Sequence, residues 1–317
     1  MTTRLIRSVP AVAGLAALAL VGASACGTPG STPAAEGDTI VVVASTNVWA
    51  SVVRAVGGDA VTVRSILSDA NADPHGYEAK PADATAFDGA KLAVSNGGGY
   101  DDFFTSLADS AGSDAKKIVA VDVVGTASSA AAAGEEGHDH SHAENEHVWY
   151  DFGTVNGVAQ NVAEQLTALA PEKQAEFTAN VNTLSEKLDA LATKASQIGK
   201  AKPGAKIIAT EPVAEYLLET AGLTDATPHE FAEAVEEETD PSAAAVAETN
   251  ELVTRKAVIG VIYNEQTETP ATKALKDSAA AAGVPVVGIS ETLPEGTTDY
   301  VEWMTKQVEA LTVALSA

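Results

Sequence analysis

The sequence predicts an α/β chain: two βα lobes with parallel sheets, joined by one long α-helix. Three observations predict it. Short β-rich apolar runs alternate with helical stretches up to about residue 123. The same alternation restarts near residue 200. Between them runs a helical pattern longer than one small domain needs.

The first 25 residues read as a secretory signal. "MTTRLIR" supplies Arg4 and Arg7, "SVPAVAGLAALALVGASA" is uncharged and mostly apolar, and small residues precede Cys26. Cys26 is the only cysteine, so no internal disulfide exists to explain it. "ASAC" resembles a bacterial lipobox, with Ala23 where Leu is usual, and makes Cys26 the expected lipid anchor. Residues 26–38, rich in Gly, Pro, Ser and Thr, read as a flexible tether.

Residues 39–170 form the expected N-terminal lobe. "TIVVVAST", "AVTVRSIL", "KLAVSN" and "KKIVAVDV" are strands, with helices in "NVWASVVRAVGG" and "GGGYDDFFTSLADSAG". Residues 124–146 have no apolar periodicity and read as a mobile, histidine-containing loop. "TVNGVAQNVAEQLTALA" is amphipathic. The linking helix is expected over 171–199, opened by Pro171 and stopped by Gly199, with Phe177, Val181, Leu184, Leu188 and Leu191 on one stripe. The second lobe, 200–317, has strands in "AKIIAT", "AVIGVIYN" and "VPVVGIS". Its helices are "EPVAEYLLETAGL", an acidic stretch broken near Pro241, "TPATKALKDSAAAAG" and "TDYVEWMTKQVEALTVALS".

Composition limits the partners. The 317 residues carry 19 Lys and Arg, two of them in the signal, against 44 Asp and Glu. Such a chain repels nucleic acid and anionic membrane surfaces and is compatible with a cationic ligand. No mature stretch is long and apolar enough to span a bilayer.

Ligand sites in parallel βα sheets lie beyond the carboxyl ends of the strands. Four metal-ligand types fall at such ends or in the loops that reach them: His75 in "NADPHGYE", His147 in "NEHVWYD", Glu211 after "AKIIAT" and Glu291 after "VPVVGIS". Each has an ordinary alternative. A lone loop histidine is commonly a surface residue, and a glutamate before a helix gains from the helix dipole. As a set, two imidazoles and two carboxylates, two from each lobe, suit a divalent transition metal held in a cleft.

"DPHGYEAKPAD", "SNGGGYDDFF", "HVWYDF", "TEPVAEYLLETAGL" and "ISETLPEG" resemble, in order, the landmarks of the manganese/zinc-type substrate-binding lipoproteins of bacterial ABC importers. The resemblance covers nearly all of the mature chain. It implies a metal held between two lobes by His75, His147, Glu211 and Glu291, a membrane permease as partner, and an extracytoplasmic location at the cytoplasmic membrane. The third position is His in many zinc receptors of the family and Glu in many manganese receptors. The second motif, usually "DPH", reads "NEH" here. Four of the six histidines fall in "GHDHSHAENEHVWYD". His147 is the expected ligand, whereas His138, His140 and His142 resemble the metal-collecting loop of zinc receptors. A solvated loop without a role is the alternative for those three. His229 is expected at the surface or the cleft edge.

The expected protein is therefore a monomeric metal receptor and not an enzyme. No H-E-x-x-H, nucleophile elbow or phosphate loop is present. A zinc hydrolase, a receptor for iron chelates or haem, and an adhesion or metal-buffering role are the alternatives. Two carboxylates favour Mn²⁺ and the histidine loop favours Zn²⁺, with the balance slightly to zinc.

Overall fold

The computed structural model describes residues 39–70, 72, 74–123 and 145–315. The signal, the tether with Cys26, and the loop histidines His138, His140 and His142 lie outside the described residues.

Strand β1 (Ile40–Thr46) is central in the first sheet, whose order is β2-β1-β3-β4, with β2 at Val61–Leu67, β3 at Leu92–Ser95 and β4 at Lys116–Val119. All pairings are parallel. The run Val42, Val43, Ala44 is fully buried because helices cover both faces of the sheet, which suits an apolar run better than an alternating one. The second sheet repeats the plan as β6-β5-β7-β8, with β5 at Lys206–Ala209, β6 at Thr224–Asp225, β7 at Val261–Asn264 and β8 at Val286–Ile289. At two residues, β6 is too short to leave a periodicity in the sequence. In both sheets the strand order reverses beside the central strand, which opens a crevice at the carboxyl ends.

Helices α1 (Asn47–Gly57), α3 (Phe152–Leu169), α4 (Gln174–Ala201) and α9 (Tyr300–Leu315) form a shared layer between the sheets. Their apolar residues join those of both sheets in one continuous core, from Val42 and Val94 to Ile262 and Val287. On the outer face of the first sheet lie α2 (Asp102–Ser110) and a 3₁₀ turn, Pro81–Phe87. On that of the second lie α6 (His229–Glu236), α7 (Ala243–Thr254) and α8 (Pro270–Ala282). The short α5 (Glu215–Thr220) follows β5.

The linking helix differs from its expected bounds at both ends. Pro171–Lys173 is a 3₁₀ turn, and α4 runs 28 residues, past Gly199 to Ala201. Its buried stripe is the expected one, extended by Ala195 and Ile198. Gly199 is thus not a stop signal but a contact. A Cβ there would lie 2.5 Å from the carbonyl oxygen of Ala221, where the α5–β6 turn crosses the helix. Among the described residues, no helix is long and apolar enough to cross a membrane.

Candidate metal centre

His147 sits where the polar loop gives way to "VWY", in a wall of aromatic rings. Trp149 and Tyr100 meet its imidazole with ring centroids 5.1 and 6.1 Å away. The residue is completely buried, and loss of hydration, with His75 nearby, pushes its pKa down to about 3. Asn145 fixes its tautomer. The Asn145 amide nitrogen donates to the Pro212 carbonyl and to Glu215, so its oxygen is the atom that faces His147 Nδ1 at 2.9 Å. Nδ1 is therefore the donor, and Nε2 carries a lone pair. That Nε2 is buried without a hydrogen-bond partner among the described residues. A buried nitrogen lone pair left in this state is costly unless a cation or a hydrogen-bond donor takes it.

His75 comes from the loop after β2. The Tyr77 amide closes a turn onto the Pro74 carbonyl, and the Tyr77 hydroxyl is tied to Asp83. The His75 ring stands edge-on to Tyr100, at 5.1 Å. Tyr100 is held there by "NGGG". Gly97, Gly98 and Gly99 all have positive φ, and a Cβ on Gly98 would press on Glu146 at 3.0 Å. Asp101 accepts from the amides of Asn96 and Gly97, and Asn96 in turn donates to the Glu146 carbonyl. These bonds set the backbone that carries Glu146 and His147.

The second lobe supplies buried carboxylates. Glu211 occupies the N-cap position of a three-residue 3₁₀ turn and makes no capping bond. Its carboxylate instead accepts from Thr267 Oγ1 and from Asn264 Nδ2, which also donates to Glu291 Oε1 at 2.8 Å. Glu291 Oε2 lies 3.9 Å from His75 Nε2. Gln266 ties this lobe to the first: its oxygen accepts from the Glu291 amide, and its nitrogen donates to the carbonyls of Ala70 and Ala72 in the His75 loop.

Two further carboxylates join the group. Donor atoms of His75, Glu146, His147 and Glu236 all lie within 4.8 Å of one another. Glu146 Oε1 and Glu236 Oε1 are each 3.9 Å from His75 Nε2, and Glu236 Oε1 is 3.5 Å from His147 Nε2. Metal–ligand bonds of about 2.0–2.2 Å place tetrahedral ligand atoms roughly 3.3–3.6 Å apart, so the spacing suits a small cation. The fold thus gathers His75, His147 and Glu291, and reaches Glu211 through Asn264. Sequence reading missed Glu146 and Glu236. Glu146 was visible in "NEH", as the departure from the expected motif. Glu236 lies in the acidic run 236–238, where nothing local separates it from its neighbours. His229 is exposed and paired with Glu233 at 3.2 Å. A cavity of about 640 Å³ lies between α1, α4 and the start of α9, lined by Arg54, Lys187 and Asp299 and by no imidazole.

Residues 42–314 match the model of the ZnuA family, described as "Zinc-uptake complex component A periplasmic". The chain belongs to this family. Beside this family match, it is 28% identical over 215 residues to the manganese ABC transporter substrate-binding lipoprotein PsaA of Streptococcus anginosus, covering 66% of this chain and 68% of that one. It is 27% identical over 275 residues to the zinc-binding lipoprotein AdcA of Streptococcus pneumoniae, covering 81% of this chain and 52% of that longer one. The periplasmic zinc-binding protein TroA of Treponema pallidum shares the fold, with a TM-score of 0.70 at 19% identity over 87% of this chain and 99% of that one.

Proposed function

We propose that this ZnuA-family chain is an extracytoplasmic receptor. It captures a divalent transition metal, Zn²⁺ or Mn²⁺, and delivers it to the membrane permease of an ABC importer. The observation that carries this is the lone pair of His147 Nε2, buried and pointed at His75 and carboxylates from both halves of the chain. Convergent nitrogen and oxygen donors suit a bare ion. His75, His147, Glu211 and Glu291 are the proposed ligands, with Glu211 turning from Thr267 and Asn264 toward the ion. The lipoprotein names of the relatives support an anchor at Cys26.

For the metal, the histidine loop leans to zinc, whereas a donor set of two imidazoles among carboxylates leans to manganese. Elemental analysis of the protein taken from its own cell envelope decides between them. Affinity in vitro does not, since Zn²⁺ outbinds Mn²⁺ at most such sites.

Calorimetric titration tests the site. His147→Ala is expected to weaken binding by more than the roughly 10–100-fold typical of a residue that only orients a ligand. Joint replacement of His138, His140 and His142 is expected to leave the tight site intact. The opposite result would remove the assignment.

A further inference from the structure

Glu236 stands in a position that the proposed ligand set does not explain. It ends α6, whose Phe231 and Val235 are buried in the outer core of the second lobe. That packing fixes the helix and aims Glu236 across the cleft at two histidines of the first lobe. Its Oε1 is 3.5 Å from His147 Nε2 and 3.9 Å from His75 Nε2. The Asn145 bond makes His147 Nε2 an acceptor, and a carboxylate oxygen is an acceptor too. Two acceptors 3.5 Å apart, one of them completely buried, repel each other unless a proton or a metal cation lies between them.

We propose that Glu236 is a direct ligand of the captured cation and the carboxylate through which the cation enters and leaves. The proposal rests on the receptor reading above. Glu236 and Glu146 border a cavity of about 480 Å³ whose lining also includes Glu215, Asp225, His229 and Glu233, whereas His147 and Glu291 are buried and do not line it. An ion passing through this acidic mouth meets Glu236 before His147. The remaining charges of the mouth raise the local cation concentration without coordinating, an effect that salt screens. Glu236 makes a bond that salt does not screen.

The test compares Glu236→Gln and Glu236→Asp with Glu233→Gln, which removes the same charge from the same helix and the same cavity. Zn²⁺ is titrated at low and high salt, and its release is timed by transfer to a chromogenic chelator. Zinc X-ray absorption reads the ligand shell. Glu236→Gln and Glu236→Asp are both expected to weaken Zn²⁺ binding at either salt by more than the roughly 10–100-fold typical of a residue that only orients a ligand, to speed release, and to alter the shell. Glu233→Gln should slow uptake only at low salt. Should Glu236→Gln match Glu233→Gln in affinity, release and absorption spectrum, the assignment is overturned. Glu236→Asp keeps the charge, so an affinity equal to that of the natural chain would overturn it as well. Failure of the natural chain itself to bind metal would instead overturn the receptor reading.

Discussion

His147 shows how one residue is prepared for a cation by its surroundings. Burial favours its neutral form, the Asn145 oxygen holds the proton on Nδ1, and Nε2 is left to coordinate. The same burial has a consequence in the metal-free protein. The unfolded chain takes up a proton at His147 near the ordinary pKa of about 6.5, whereas the folded chain does so only near 3. Between those values the unfolded state binds more protons, so stability contributed by this residue is present above pH 6.5 and lost as pH falls toward 3. The loss amounts to roughly 5 kcal/mol over that window. Urea unfolding of the metal-free protein between pH 7 and 4 should show the decline, and His147→Gln should flatten it. A natural chain with no decline would mean that His147 is not held neutral.

At the scale of elements, loops and helix contacts carry the site more than helix propensity does. Gly199 lies inside α4, where Ala ordinarily gains about 1 kcal/mol over Gly. Here the opposite is expected, because the added carbon would meet the Ala221 carbonyl oxygen at 2.5 Å and the neighbour is backbone. Gly199→Ala should destabilise the protein by roughly 1–3 kcal/mol, the usual cost of overpacking, measured by chemical denaturation. A gain in stability would show that the turn at 221–222 yields easily. Gln266 is the counterpart in the site. One side chain holds the Glu291 amide and the carbonyls of the His75 loop. Gln266→Ala is expected to weaken metal binding by roughly tenfold while both histidines remain in place. Unchanged affinity would mean that the two loops are set independently.

In the whole molecule, the two sheets are not free bodies on a tether. The apolar core continues from one sheet to the other through α1, α3, α4 and α9, and Trp303, Met304, Val308 and Leu311 of α9 are buried in it. Polar ties cross at the same level. The Tyr150 hydroxyl donates to the Ser290 carbonyl, the Tyr300 hydroxyl to the Trp149 carbonyl, and Asn47 exchanges two bonds with Leu293. A wide hinge would break this layer, so metal binding is expected to change the radius of gyration little. Binding to the native state alone still raises stability, by roughly 2.7 kcal/mol at 100 times the dissociation constant. Small-angle scattering with and without metal should nearly superimpose, while the melting temperature rises. A marked contraction would overturn the rigid-core account, and an unmoved melting temperature at neutral pH would overturn the site.

The alternation of apolar runs and helical stretches was enough to determine the first parallel sheet, three of the four strands of the second and the long helix, because buried parallel strands and a stripe along α4 leave strong periodic signals, whereas the two-residue β6 leaves none. His75, His147, Glu211 and Glu291 were legible as candidate ligands because strand ends are where such folds place their chemistry. Tertiary structure alone decided the rest. Glu236 lies some ninety residues from His147 in a run of like charges, and only the packing of Phe231 and Val235 turns it toward the cleft. Asn264 and Gln266 carry no motif, and they matter because β7 ends between the two buried glutamates. Gly199 looks like a stop in one dimension and proves to be a crossing point in three. Local periodicity reports which face of an element is buried. It cannot report which distant side chain will stand opposite, since that is settled by the packing of one lobe on the other.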